Sequence, residues 1–187
     1  MMTKTTKNKE KRSEFDFYPT PEWCIEAIDK ALLSKQDFGN KWLEPACGNG
    51  AIVNYVKKAY PKVLLSGVDM DPAHYTVMKN TLGIRYTEAD YLSHKPLWHN
   101  DLIITNPPYN KAMEFVQKAV TEATVVVMLL RLGFVASQKR SEFMKTYTPD
   151  VYVLSKRPSF KNGGNDNSDY AWFVFKGKRN QGIVTVL

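Results

Sequence analysis

KWLEPACGNGAIVNYVKKA, residues 41–59, begins as a short apolar run suited to a buried strand and ends as a helical stretch from Ala51 to Ala59. Between them, Gly48 and Gly50 let the backbone turn tightly and come close to a ligand, and the helix start behind them offers free N–H donors. Taken alone, the turn serves a structural bend as well as a binding cradle; it does not follow the dinucleotide pattern GxGxxG.

The same alternation recurs in both directions along the chain. Further buried-strand candidates are VLLSGVDM, RYTEAD, LIITNP, TVVVMLL, VYVLS and AWFVFK. Helix candidates lie at Pro21 to Leu33, Pro72 to Leu82, Lys111 to Glu122 and Ser137 to Thr146, the first with Thr20 as its cap and Pro21 at its first position. Strands alternating with helices predict an α/β fold, a mostly parallel sheet covered on both faces. The rhythm fails between VYVLS and AWFVFK, which are joined by the polar loop RPSFKNGGNDNSDY. Those two strands are expected to form an antiparallel hairpin at the edge of a seven-stranded sheet.

Composition narrows the partners. Lys and Arg outnumber Asp and Glu by 26 to 19, a net charge of +7 that suits a polyanion. MMTKTTKNKEKR holds five of the cations and one anion, so residues 1–14 are expected to be a disordered basic arm and 15–187 one domain. No apolar run approaches the roughly 18–20 residues of a membrane helix, and no secretory signal is present, so a cytoplasmic location without membrane attachment is expected. Cys24 and Cys47 form no CxxC pair and the three histidines are scattered, so no metal site is expected.

In open α/β sheets, ligands bind at the carboxyl ends of the strands near the topological switch point. Asp69 ends the second strand some 20 residues after the glycines, where a carboxylate can accept hydrogen bonds from both hydroxyls of a ribose. Asp71 is placed to cap the helix begun by Pro72, and Asp90 falls at the same edge. With no Lys in LEPACGNGA for a phosphate, the ligand indicated is S-adenosylmethionine. IITNPPYN, residues 103–110, then supplies a rigid end to the fourth strand. Pro107 and Pro108 fix φ and remove two N–H groups, leaving their carbonyls as acceptors, and Asn106 adds a third beside them. Such a set matches an amino group with two protons, and Tyr109 offers a flat face for a base.

YPTP (18–21), LEPACGNG (43–50), GVDMDP (67–72), EADYL (88–92) and NPPY (106–109) resemble, in this order, the motifs of amino-methylating, S-adenosylmethionine-dependent DNA methyltransferases of the gamma arrangement. LLRLGFVAS, VYVLSKRPSF and YAWFVF are similar to small adenine methyltransferases often encoded by bacteriophages. The resemblance implies a Rossmann-like class I methyltransferase fold, N6 methylation of adenine and S-adenosylhomocysteine as product. It implies that Thr20, Pro21, Glu44, Ala46, Cys47, Gly48 and Gly50 surround the methionine end of the cofactor, that Asp69 binds the ribose and that Asp90 binds the adenine amino group. Asn106, Pro107, Pro108 and Tyr109 would be catalytic, with Tyr109 and Phe160 holding the base.

Larger members of that family carry a separate target-recognition domain, whereas only 57 residues follow Leu130. Recognition is therefore expected in short loops, through Arg131, Arg157 and Lys161, with Arg140 and the asparagines 162, 165 and 167 nearby. Double-stranded DNA is the expected partner and the chain a monomer or homodimer. An RNA adenine methyltransferase, a protein glutamine methyltransferase and a non-catalytic nucleic-acid-binding module remain alternatives.

Overall fold

A computed structural model describes residues 19–74, 78, 84–160 and 168–187. The basic arm, Lys161, the asparagines at 162, 165 and 167, and most of the helix expected over 72–82 lie outside the described residues.

Eight strands form one sheet: β1 (Lys41–Glu44), β2 (Leu64–Asp69), β3 (Arg85–Glu88), β4 (Asn100–Thr105), β5 (Ala123–Arg131), β6 (Asp150–Val153), β7 (Tyr170–Phe175) and β8 (Val184–Val186). Their order is β3-β2-β1-β4-β5-β7-β6-β8. From β3 to β5 all pairs are parallel. β7 runs antiparallel between β5 and β6, and β8 runs parallel to β6 at the edge. The sheet is thus α/β and mostly parallel, as the alternation implies, with two corrections. Among the described residues there are eight strands, and the β6–β7 hairpin is not the sheet's edge, because β8 lies outside it. β8 escapes pattern reading because it is three residues long, with Val184 and Val186 both more than 70% exposed, so it lacks the buried face that marks a strand.

Among the described residues the helices are α1 (Glu22–Ala31), α2 (Ala51–Ala59), α3 (Ala112–Glu122) and α4 (Ser141–Thr146). The expected starts of the last two are taken up by 3₁₀ turns at Tyr109–Lys111 and Gln138–Arg140. Alternate side chains of each inner strand enter opposite cores. Leu102, Ile104, Val127, Leu129, Trp172 and Val174 pack with α1 and α2. Ile103, Val126, Met128, Leu130, Phe173 and Phe175 pack with α3. This double burial explains why these strands read as continuous apolar runs.

Trp172 joins the two ends of the chain: it is fully buried, and its Nε1–H donates to the Cys24 carbonyl at 2.8 Å. α1 begins differently from the expectation. Pro21 occupies the N-cap position and no side chain caps the helix, because the Thr20 hydroxyl is engaged elsewhere, by Asn106.

From β1 the chain steps outward to β2 and β3 and then returns to the other side of β1 as β4. The carboxyl ends of β1 and β4 therefore flank the switch point, where a crevice opens.

Candidate active site

At the end of β1, Glu44 is 2% exposed, and its Oε2 has no hydrogen-bond partner. Burial pushes its carboxyl well above the usual range and the charge of Asp69 adds to this, while the Val53 N–H pulls the other way.

The next residues are folded against β2. Cys47 N–H and its thiol both contact the Val68 carbonyl, at 3.1 and 3.2 Å, so this cysteine packs rather than reacts. Burial followed by the nearby carboxylates raises the thiol further. Gly48 N–H donates to Asp69 Oδ2 at 2.6 Å, and Gly50 N–H to the Cys47 carbonyl at 2.7 Å. Gly48 and Gly50 have φ of 48° and 82°, left-handed values that keep this tight loop free of strain only without side chains.

Asp69 also accepts the Asp71 N–H at 2.9 Å and lies 3.5 Å from His74 Nδ1. A carboxylate has about four acceptor sites, so the bonds from Gly48 and Asp71 leave capacity toward the crevice. Asp71 caps as expected, accepting the Ala73 N–H at 2.9 Å. Asp90 caps its own turn through the Leu92 N–H and lies exposed at the rim.

These groups line one cavity. Its floor is Glu44, Pro45, Ala46, Cys47, Gly48 and Asn49; one wall is Asp69, Met70, Asp71 and His74, and another is Ala89, Asp90, Tyr91 and Leu92. Pro19, Thr20, Asn106, Pro108 and Lys111 close the remaining side. Tyr91 is pinned by its hydroxyl, which donates to Glu122 of α3 at 2.8 Å. Met70, His74, Tyr91 and Lys111 were not singled out by the sequence. Met70 and His74 follow Asp69 within a turn, and that proximity was the available signal.

Several expected residues do not reach the cavity. Pro21, Gly50, Pro107, Tyr109, Phe160, Arg131 and Arg157 are absent from its lining. Gly50 instead shapes the loop, and Pro21 starts α1. The Pro108 carbonyl accepts the Lys111 N–H at 2.9 Å, so one of its two lone pairs is already engaged.

Tyr109 packs beside the cavity in an aromatic cluster. Its ring lies 5.4 Å from Tyr170 and 6.3 Å from Phe160, and the Arg131 guanidinium stands 5.2 Å over it. Arg131, expected in a recognition loop, instead stands against the Tyr109 ring. Arg157 is paired with Asp169 at 2.8 Å on the surface.

A sheet with its switch point between β1 and β4, a glycine turn there and an Asn-Pro-Pro-Tyr strand end define a protein of the Rossmann-like methyltransferase class. The chain belongs to the Methyltransferase small domain family, whose profile matches residues 25–140. It is 33% identical over 98 residues to the ribosomal RNA small subunit methyltransferase C of Pasteurella multocida, an alignment covering 49% of this chain and 30% of that protein. It is 23% identical over 200 aligned positions to the type II methyltransferase M.CvrRI of Paramecium bursaria Chlorella virus XZ-6E, covering 95% of this chain and 52% of the relative. The chain therefore spans about a third to a half of the length of these curated relatives.

Among solved structures, a Pyrococcus horikoshii protein described as a candidate RNA methyltransferase superposes with a TM-score of 0.68 at 17% identity, covering 92% of this chain and 90% of that one. The 23S rRNA methyltransferase ErmE gives 0.64 at 14%, covering 86% and 69%. At such identities the likeness is one of fold.

The cofactor that goes with this family and fold is S-adenosylmethionine, and the cavity fits it. Asp69, Asp71 and Asp90 outnumber the cation Lys111 in the lining, an acidic balance that repels a pyrophosphate and favours a ligand with cationic groups. The buried, unpartnered Glu44 oxygen calls for such a group.

Proposed function

We propose that this protein methylates the exocyclic amine of adenine in nucleic acid, with double-stranded DNA as its substrate. The observation that carries the reading is Asn106, which ends the strand beside the switch point and lines the cavity shared by Glu44 and Asp69. When bound, S-adenosylmethionine supplies the methyl group on a cationic sulfur, and the amine nitrogen takes it as the carbon–sulfur bond breaks.

Glu44 and the loop through Gly48 hold the methionine end, Asp69 the ribose and Asp90 the adenine end. The amine of adenine is a weak nucleophile because its lone pair is delocalised into the ring. Asn106 and the Pro107 carbonyl accept hydrogen bonds from its two N–H groups, which localises the lone pair toward the methyl group, and the methylated nitrogen then releases one proton to solvent. Such positioning is worth on the order of 7–11 kcal/mol, and fixed acceptors facing the developing positive charge add to it. In a duplex the base must first leave the stack, at about a few kcal/mol. Tyr109 and Phe160 receive it, with Arg131 already over one Tyr109 face, so the base either uses the other face or takes that place. Residues 15–187 act as one catalytic unit, with recognition in the loops around 131–140 and 156–170.

The extent of the likeness favours DNA. The likeness to the viral type II methyltransferase extends over 95% of this chain, whereas that to the ribosomal RNA enzyme covers 49%. RNA is the second reading, supported by the higher identity of that shorter match and by the fold neighbours. Incubation of purified duplex DNA and RNA with labelled cofactor, followed by nucleoside analysis, tests both. N6-methyladenine in DNA is the expected product; label confined to RNA moves the assignment to the second reading, and label in neither defeats both.

A further inference from the structure

Arg140, expected beside the recognition loop's contacts with DNA, is turned back into the protein. Its Nε donates to the Phe134 carbonyl at 2.7 Å and its Nη2 to the Gly133 carbonyl at 3.4 Å. The guanidinium carbon stands 4.6 Å over the Phe134 ring, which is 7% exposed and meets Phe173 of β7 edge-on at 5.8 Å. One side chain thus grips the 3₁₀ turn Leu132–Phe134 by two carbonyls and a ring face, a combination open to a planar guanidinium and not to an ammonium.

The turn so held stands beside the candidate active site. β4 and β5 pair as far as Thr105 opposite Met128, so the carboxyl end of β5 emerges next to Asn106. Arg131 at that end lies over the Tyr109 ring, and the Leu132 N–H donates to the carbonyl of Asp169, just before β7, at 2.8 Å. Beyond Phe134 the Ala136 N–H reaches the Gly133 carbonyl at 3.1 Å and the Ser137 N–H the Val135 carbonyl at 3.2 Å.

The side chains that this arrangement holds outward are chemically mixed. Val135 is 41% exposed, and Gln138 and Lys139 are exposed as well. Among the described residues, neither the Gln138 amide nor the Lys139 ammonium makes a hydrogen bond or ion pair with the protein. Arg157, by contrast, is paired with Asp169, and Arg131 is held by Tyr109 and Tyr170. The three outward residues match what a duplex offers: an ammonium for a phosphate, an amide for an adenine edge and an apolar surface for a thymine methyl.

We propose that residues 132–140 form a preformed reading edge for the DNA duplex flanking the target base, with Gln138 and Val135 on base edges and Lys139 on a phosphate. Arg140 is the positioning residue that holds them there, and it is not itself a DNA contact. This rests on the methyl-transfer reading above and names the residues that give it sequence preference. A turn already fixed before DNA arrives loses less freedom on binding, so its side chains discriminate rather than adapt.

Hydrogen exchange and binding test this without requiring turnover. Addition of a random-sequence DNA duplex to the parent protein should slow exchange of the amides of residues 133–139. In selection for binding from a randomised duplex pool, Gln138→Ala should flatten base preference on the order of 10-fold. Lys139→Ala should instead weaken all sequences equally and lower the salt slope by about 0.9. Both residues are exposed, so these variants stay folded whatever Arg140 contributes. Arg140→Lys keeps the charge and removes the fork. It should speed exchange at Ala136 and Ser137 in the DNA-free protein and flatten base preference as Gln138→Ala does, with cofactor Kd held, and Arg140→Met should match it.

Three results overturn the proposal: a DNA duplex that leaves exchange of the turn unchanged, Gln138→Ala and Lys139→Ala that bind as the parent does, or Arg140→Lys that matches the parent while Arg140→Met loses salt slope. The last would make Arg140 a phosphate contact itself. If binding and exchange behave as expected but the parent methylates no nucleic acid, the reading edge stands and the function proposed above falls.

Discussion

Glu44 concentrates the chemistry of the cavity into one residue. A buried carboxyl held well above its usual range, with one oxygen unpartnered, is a site prepared for a cation. In the free protein burial favours its protonated form, and a cationic group arriving beside it favours ionisation. Cofactor binding is therefore expected to release a proton, visible by calorimetry in buffers of different ionisation enthalpy, and to strengthen as pH rises toward the pKa of the free site. Glu44→Gln should abolish the release and flatten the pH dependence; release that persists in this variant would move the proton to another group. The stability effect has the opposite sign. Because the folded pKa lies above the unfolded value of about 4.3, the carboxyl contributes fully below that value, and its contribution is lost as pH rises toward the folded pKa.

At the scale of elements, the far end of the sheet is held by Asp150, the first residue of β6. It is 3% exposed and receives Arg179 Nη2 at 2.6 Å, Lys176 Nζ at 3.3 Å and the Ile183 N–H at 3.1 Å. Burial by itself raises this carboxyl, but Arg179, the Ile183 N–H and Lys176 together outweigh it and leave the group below its usual range. One side chain thus ties the segment after β7 to the start of β8 and explains how so short and exposed a strand holds its place. Asp150→Asn should cost about 1.5–3 kcal/mol, the value of hydrogen bonds to a charged group, because both cations keep some access to water. The pH sign follows from the depressed pKa. The contribution is present above the unfolded value of about 3.9 and is lost as pH falls through the folded one. Denaturant melts of parent and variant should therefore converge in acid, and an equal difference at every pH would remove the charge from the account.

For the whole molecule, charge distribution matters more than any one ion pair. The cavity is acidic, yet the chain carries +7, so the cations lie elsewhere, five of them within residues 1–12. That arm is expected to meet phosphates without reading bases. Deleting residues 1–12 should weaken binding to all DNA sequences about equally and reduce the salt dependence by a slope of about 0.9 for each phosphate that the arm had neutralised. Titrations at several salt concentrations measure this; an unchanged slope would mean that the arm touches no phosphate, and a sequence-dependent weakening that it reads bases.

The sequence by itself determined the elements whose signals are local. The double-faced apolar strands, the glycine turn after β1, Asp69 one strand along and the proline-fixed end of β4 were all legible, because strand periodicity, φ above zero and fixed φ are properties of a few adjacent residues. Only the tertiary structure decided how distant pieces meet. It placed β7 between β5 and β6 and put β8 beyond the hairpin, since strand order depends on which faces bury each other and leaves no mark on either strand. It also gave Thr20 to Asn106 instead of to the start of α1, and set the Tyr109 ring in a cluster with Tyr170 and Phe160. A hydroxyl can satisfy many partners, and its choice is fixed only when 86 positions of chain have folded to bring one of them within 3.2 Å.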